Sequence, residues 1–372
     1  MTTISRRGIA AFATVGAAAL FLAGCAPAPE SSGGASGGTD GGGEAASEIL
    51  PCMVSDTGGF DDNSFNELGK NGLDDGAAAI GVEGTAVESK SDADYAPNID
   101  TLISQGCNLI FTVGFALSQA TVEAALANPD VNFAIIDDAA DNDFDGETDA
   151  PNIKPILFDT SQAAFLAGYS AASVSKSGIV GTYGGMNFPT VSIFMDGFAQ
   201  GVEYHNSEKG TSVQVLGWDR EAQDGTFIGS FEAGTDSLNA AQNLIDQGAD
   251  VILPVGGPIY QSAAEAIADS GKEIALIGCD ADLFETDPNY QDQYLTSILK
   301  GMQIATSDVI ELTNESGFDN TPYLGNLEND GVGVAPFHNY EETVSAELQG
   351  ELDTIREGII AGDIEVTSYL NS

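Results

Sequence analysis

The chain has 372 residues, with 57 acidic, 11 basic and two histidine side chains, and a formal net charge of −46. That charge repels nucleic acid and anionic membrane surfaces, so neither is an expected partner. Its acidity fits a solvated surface or adaptation to salt and does not identify a ligand.

Arg6 and Arg7 precede an apolar run from Ile9 to Ala23 that ends in Leu22-Ala23-Gly24-Cys25. The run is shorter than the roughly 20 residues a bilayer span needs. Its ending resembles the lipobox of bacterial lipoproteins, which implies cleavage before Cys25 and lipid on the Cys25 thiol. Ser5-Arg6-Arg7 is also similar to the start of a twin-arginine export signal. Residues 26–47 are mostly Gly, Ser, Ala, Pro and acids, too poor in apolar surface to offset their ordering entropy. We therefore expect a signal peptide over 1–24 and a flexible tether over 25–48, which places the protein outside the cytoplasm, anchored to the cell membrane by Cys25.

Short apolar runs then alternate with amphipathic segments, the pattern of parallel βαβ units. Strands are predicted at Ile49 to Val54, Gly84 to Glu88, Leu109 to Val113 and Phe133 to Ile136. Helices fall between them at Ser64 to Ile80, Ala96 to Gln105 and Gln119 to Ala127. A second set follows Ile156 to Phe158. Its helices are predicted at Ser161 to Ser173, Val191 to Tyr204, Thr235 to Gln247 and Gln261 to Ala268. Its strands are predicted at Ile179 to Tyr183, Ser212 to Leu216, Val251 to Pro254 and Ile274 to Gly278. Beyond 285 come a strand at Leu295 to Ile298, a helix from Gly301 to Leu312, a strand around Gly331 to Ala335 and a helix from Thr343 to Ile360.

The matching order of elements predicts a duplicated α/β architecture: two Rossmann-like lobes, with ligand at the carboxyl ends of the strands between them. The late elements must pack back onto both lobes, which requires about three crossings and a hinge. Lobe 1 is expected to comprise 49–158 with 299–322, and lobe 2 159–285 with 328–372. The hinge is placed near 156–160, 285–298 and 322–330.

Cys52, Cys107 and Cys279 lack the C-x-x-C spacing of a zinc or redox site, and two histidines offer little for a metal or a catalytic triad. No metal and no cofactor is expected. His205 reads as part of a polar turn and His338 as a residue near a strand end, each with a structural or solvent role. Cys52 and Cys107 stand at or just before the starts of strands expected to be neighbours, so an exported protein could bridge them. Two buried free thiols are the alternative, and Cys279 is expected to be a buried thiol.

The loop after the first strand reads Asp56-Thr57-Gly58-Gly59-Phe60-Asp61-Asp62-Asn63-Ser64-Phe65-Asn66. Gly58-Gly59 suits a tight turn, and Asp62, Asn63 or Ser64 can cap the helix that follows. This loop resembles that of the basic membrane protein family of lipoproteins, relatives of the nucleoside-binding components of ABC importers. Asn63 stands where that family often has Lys, and the Trp common shortly afterwards is missing near Leu68 to Lys70. The resemblance continues through Val113 to Leu117, Phe133 to Asp137, Ala164 to Ala172, Gly184-Gly185, Gly197 to Val202, Gly229 to Phe231, Gly248 to Ile252, Ile277 to Asp280 and Thr296 to Lys300.

It implies a type I periplasmic-binding-protein fold with a three-crossover hinge, no enzymatic activity, a nucleoside ligand and an ABC permease as partner. The matching positions Asp56, Phe65, Asp137, Phe231, Gly257, Asp280 and Lys300, with Asn66 of the same first loop, are implied to bind the ligand. On that reading Phe65 and Phe231 sandwich a base, Asp56 and Asp137 accept from it, and Asp280 with Lys300 meets the ribose. Ligand is expected to close the lobes, because these residues come from both. A sugar-binding importer component and a ligand-sensing surface receptor are the alternatives. An exported enzyme is disfavoured, since neither a G-x-S-x-G elbow nor a metal-ligand cluster is present.

Overall fold

The computed structural model describes residues 48–371. The expected export signal, Cys25 and nearly all of the tether lie outside the described residues. Among those described, no helix is long and apolar enough to cross a membrane.

The first sheet is entered by β1 (Pro51–Val54), β2 (Thr85–Val87), β3 (Leu109–Val113), β4 (Asn132–Ile136) and β5 (Ile153–Phe158). Helices α1 (Phe65–Ala79), α2 (Tyr95–Ser104) and α3 (Ser118–Ala127) connect its first four strands. After α4 (Thr160–Val174), the second sheet begins with β6 (Ile179–Gly184), α5 (Pro189–Lys209) and β7 (Gln214–Leu216). A small hairpin of β8 (Trp218–Asp219) and β9 (Asp224–Gly225) intervenes. The second sheet continues with α6 (Thr235–Asp246), β10 (Val251–Val255), α7 (Ile259–Ser270), β11 (Ala275–Asp280), α8 (Leu283–Thr286) and β12 (Tyr294–Lys300). The chain finishes with α9 (Met302–Ser316), β13 (Tyr323–Gly325), β14 (Val332–Val334) and α10 (Ala346–Ala361).

The sheets run β13-β5-β4-β3-β1-β2 and β14-β12-β11-β10-β6-β7. With the late edge strands set aside, each has the doubly wound order 2-1-3-4-5, so β4 corresponds to β11 and β3 to β10. The pairings are parallel except for β14 on β12. Strands β1 and β3 are buried at every position, which is why they read as unbroken apolar runs rather than alternating ones. The chain passes from one sheet to the other three times, after β5, β12 and β13.

Three details differ from the sequence reading. Tyr294–Lys300 is a full strand of the second sheet, so the segment 285–298, expected as a hinge, runs into that strand and the chain leaves the sheet only after Lys300. Tyr323–Gly325, expected within a hinge, pairs with β5 as a sixth strand of the first sheet. His205 lies inside α5 rather than in a turn, and is buried with its ring 5.0 Å from that of Tyr169. The polar composition of Glu203 to Lys209 hides one inward face of a helix that continues until Gly210.

Helix α4 has only a weak polar face because it is covered on several sides, by α5, β12, β14 and α10. Its close approach to α5 depends on Gly201, where a Cβ would come within 1.9 Å of the Phe165 carbonyl oxygen. In the first lobe Cys52 and Cys107 are joined in a disulfide with their Cα atoms 6.0 Å apart, while Cys279 is a buried free thiol. Closing a loop of 55 residues constrains the unfolded chain by about 4 kcal/mol in the chain-entropy picture.

Candidate functional site

The carboxyl ends of β1, β3, β4, β6, β10, β11 and β12 face one cleft of about 810 Å³, including its mouth. All eight residues singled out in the sequence line it: Asp56, Phe65, Asn66, Asp137, Phe231, Gly257, Asp280 and Lys300.

The first loop is built around carboxylates that accept backbone N–H groups. Asp62 accepts from the amides of Ser64, Asn66 and Glu67, so it caps α1 from outside the helix. Asp56 Oδ1 accepts from Gly58 N and from Asn66 Nδ2, both at 2.8 Å. The second amide hydrogen of Asn66 goes to Asp62 at 3.1 Å. Both donors of Asn66 are therefore used, and its Oδ1 is buried without a hydrogen-bond partner. Burial pushes the Asp56 carboxyl up to about 6, against the opposing bonds from Gly58 and Asn66.

Opposite this loop, Lys300 ends β12 and is buried. Its ammonium bonds to Asp137 and lies 3.5 Å from Asp280 Oδ1. Asp137 follows β4 and Asp280 ends β11, so corresponding positions of the two lobes converge on one cation. Both aspartates have left-handed backbone, with φ of 64° and 67°, a conformation Asp tolerates but that ordinary strand ends avoid. Burial pulls the Lys300 ammonium down, but Asp137 and Asp280 outweigh it and hold it above its ordinary value. Burial raises both carboxyls against that cation, Asp280 to about 6. One lysine faces two buried carboxylates.

The Lys300 ammonium also lies 5.2 Å from the ring centre of Phe65 and 4.9 Å from that of Phe194. The aromatic neighbour of Phe231 is Phe188, at 6.0 Å between ring centres. Phe188 in turn stacks on Phe115 at 5.0 Å and 28°. With Met186 and Val191 these rings supply apolar lining of the cleft, whose polar lining includes Asp56, Asn66, Asp280 and Lys300. Asp137, expected to accept from a base, is here the direct partner of Lys300.

Phe115, Phe188 and Phe194 were not singled out in the sequence as site residues, and Asp62 was read only as a candidate cap of the helix after the first loop. Phe115 and Phe188 follow the ends of β3 and β6, so the rule that selected Asp56 and Asp280 also covers them. Outside the cleft, Asp141, Asp143 and Asp149 gather carboxylate oxygens within 4.8 Å. In so acidic a chain that surface grouping requires no ligand.

Contacts between the lobes close the cleft. Ser64 Oγ donates to the Cys279 carbonyl, and Thr286 Oγ1 to the Asn63 carbonyl, each at 2.9 Å. These join the Lys300–Asp137 pair and the Phe115–Phe188 stack.

Residues 49–367 match the family described as ABC transporter substrate-binding protein, PnrA-like. Basic membrane protein A of Borreliella burgdorferi is 30% identical over 336 residues, covering 89% of this chain and 91% of that protein. The ABC transporter nucleoside-binding protein BmpA of Lactococcus lactis subsp. cremoris is 27% identical over 382 residues, covering 98% of this chain and all of the other. Among solved structures, a solute-binding protein of an ABC transporter system from Aeropyrum pernix K1 superposes with a TM-score of 0.74 at 23% identity. It covers 86% of this chain and 93% of that one, and shares its two-lobed α/β fold.

Proposed function

The chain belongs to the Bmp family of PnrA-like ABC transporter substrate-binding proteins, and from that membership we propose that it captures nucleosides, purines above all, for an ABC permease. The observation that carries the reading is the division of the cleft. Part of its lining is aromatic, and part is polar: Asn66 Oδ1 is a buried acceptor without a hydrogen-bond partner, and Asp280 is a buried carboxylate whose Oδ1 has the Lys300 ammonium 3.5 Å away. A nucleoside has that same division, with a planar base that stacks and N–H and O–H groups that donate. Stacking a base on an aromatic ring contributes about 1–3 kcal/mol. The nucleoside-binding name of the Lactococcus relative supports the same ligand class.

Nucleotides are excluded on this reading. A phosphate entering the cleft meets Asp56, Asp62, Asp137 and Asp280 with Lys300 as the one cation among its lining residues. Lys300 is already committed to Asp137 and Asp280. The export signal and Cys25 support a lipid-anchored protein outside the cytoplasm.

Mass spectrometry of protein purified from membranes tests both parts. Native spectra should carry the added mass of a nucleoside, and denatured spectra a polypeptide that begins at a lipid-modified Cys25. A co-purified sugar overturns the ligand assignment, and an unmodified Cys25 within an uncleaved chain overturns the anchor.

A further inference from the structure

We propose that Phe115 and Phe188, one from each lobe, form an aromatic clasp that closes beside the bound base and sets how long the ligand stays. The proposal rests on the nucleoside reading of the cleft and adds two residues to the eight selected from sequence.

Each ring is mounted on rigid backbone of its own lobe. Phe115 opens a 3-10 turn directly after Gly114, whose amide donates to the Ile136 carbonyl of β4 at 3.0 Å. Gly114 has a φ of 102°, which only glycine adopts without strain, and this turns the chain at the end of β3 so that Phe115 enters the cleft. Phe188 is the residue before Pro189 and stands at the start of α5. Its carbonyl accepts from Val191 and Ser192, both at 2.9 Å, and its amide donates to the Met186 carbonyl. Neither ring can follow the other when the lobes separate.

The two ring centres lie 5.0 Å apart at 28°, so the stack exists only in the closed arrangement. Phe188 also approaches Phe231 at 6.0 Å, which joins the clasp to the wall on which the base is proposed to lie. The other contacts that close the cleft are the buried Lys300–Asp137 ion pair and hydrogen bonds. Hydrogen bonds such as Ser64 to Cys279 and Thr286 to Asn63 are exchanged for water on opening, at little net cost. Opening the stack instead exposes two aromatic faces to water and forfeits the ring–ring attraction. Both rings are half-buried in the closed form, so that exposure is a change between states rather than a permanent feature. A contact made only in the closed state acts on release rather than on capture.

The test is stopped-flow binding and release of inosine and guanosine by the full-length protein. It compares wild type with Phe115→Ala, Phe188→Ala, the double variant and Phe188→Tyr. Each alanine variant should release ligand about 5- to 20-fold faster, with association within about twofold of wild type. Phe188→Tyr should stay close to wild type. The double variant should release no faster than about the faster single, because either substitution already removes the shared contact. A general loss of structure would not give that non-additivity. If an alanine variant does not fold, Phe188→Leu keeps apolar volume without a ring and decides in the same way. Wild-type release rates in both single variants, or effects that multiply in the double, overturn the clasp while leaving the nucleoside reading intact. A wild-type protein that binds a sugar and no nucleoside overturns the reading and the clasp with it.

Discussion

Replacing Lys300 by Met should cost about 3–5 kcal/mol of folding stability at pH 7.5, the range for breaking a buried ion pair from one side. The cause is the two carboxylates left behind. Asp137 and Asp280 are both buried, and Lys300 is the cation that compensates them. The variant also loses the cation–π contacts with Phe65 and Phe194. Without the lysine both carboxyls take up protons more readily in the folded chain than in the unfolded chain. Carboxyls raised in this way lower stability as pH rises through their folded values, so the deficit should be largest above pH 7 and shrink towards pH 5. Lys300→Met combined with Asp137→Asn removes one of the stranded charges and should recover part of the loss. Nucleoside binding should fall at least about 100-fold, because Asp280 then faces the cleft without its partner. Denaturant unfolding at pH 5 and 7.5 checks the stability, and titration checks the binding. A variant within about 1 kcal/mol of wild type at both pH values would show that the Lys300 group does not hold the lobes together.

Asp56→Asn should have the opposite effect on stability. Burial raises Asp56 from 3.8 to about 6, so in the folded chain its proton leaves about two pH units later than in the unfolded chain. Stability contributed by this group is complete below the unfolded value and is lost as pH rises through about 6. Asparagine is neutral throughout, and its carbonyl can still accept from Gly58 N and Asn66 Nδ2. The variant should therefore be about 3 kcal/mol more stable than wild type at pH 7.5, about 1 kcal/mol at pH 4.5 and nearly equal to it at about pH 3.5. Its affinity for nucleoside should drop at least about tenfold, because an amide N–H replaces one carboxylate acceptor of a residue that lines the cleft. Thermal melts across that range and titration at pH 7.5 separate the two effects. An Asp56→Asn protein that melts below wild type at pH 7.5 contradicts this account of the buried carboxyl.

The positions of Asp56, Asp137 and Asp280 were legible because a strand end is a local feature, whereas Lys300 was implied by the family resemblance alone. The apolar runs mark β1, β4 and β11, and the first charged residue at or just past the end of each lies at the cleft. What those residues do to one another was less legible. Asp137 reads as a free acceptor until β12 brings Lys300 across from the other lobe, a contact no local pattern announces. The same is true of Phe115 and Phe188, each one of several loop residues beyond a strand, selected only by the ring that arrives from the opposite lobe. Segment 285–298 reads as a hinge because Asp287 to Gln293 is polar, although β12 starts immediately afterwards at Tyr294. The three residues of β13 end in Gly325 and form a strand because β5 offers an open edge. His205 was misplaced because burial on one face of α5 leaves most of the surrounding sequence polar.

The central claim is that the divided cleft recognises a nucleoside as a whole, through base and sugar together. Calorimetric titration of the purified protein with inosine, guanosine, adenosine, uridine, AMP and ribose tests it most directly. The account predicts saturable one-to-one binding of purine nucleosides, weaker binding of uridine and no response to AMP or ribose. Saturable binding of ribose or AMP with no response to any nucleoside would contradict it.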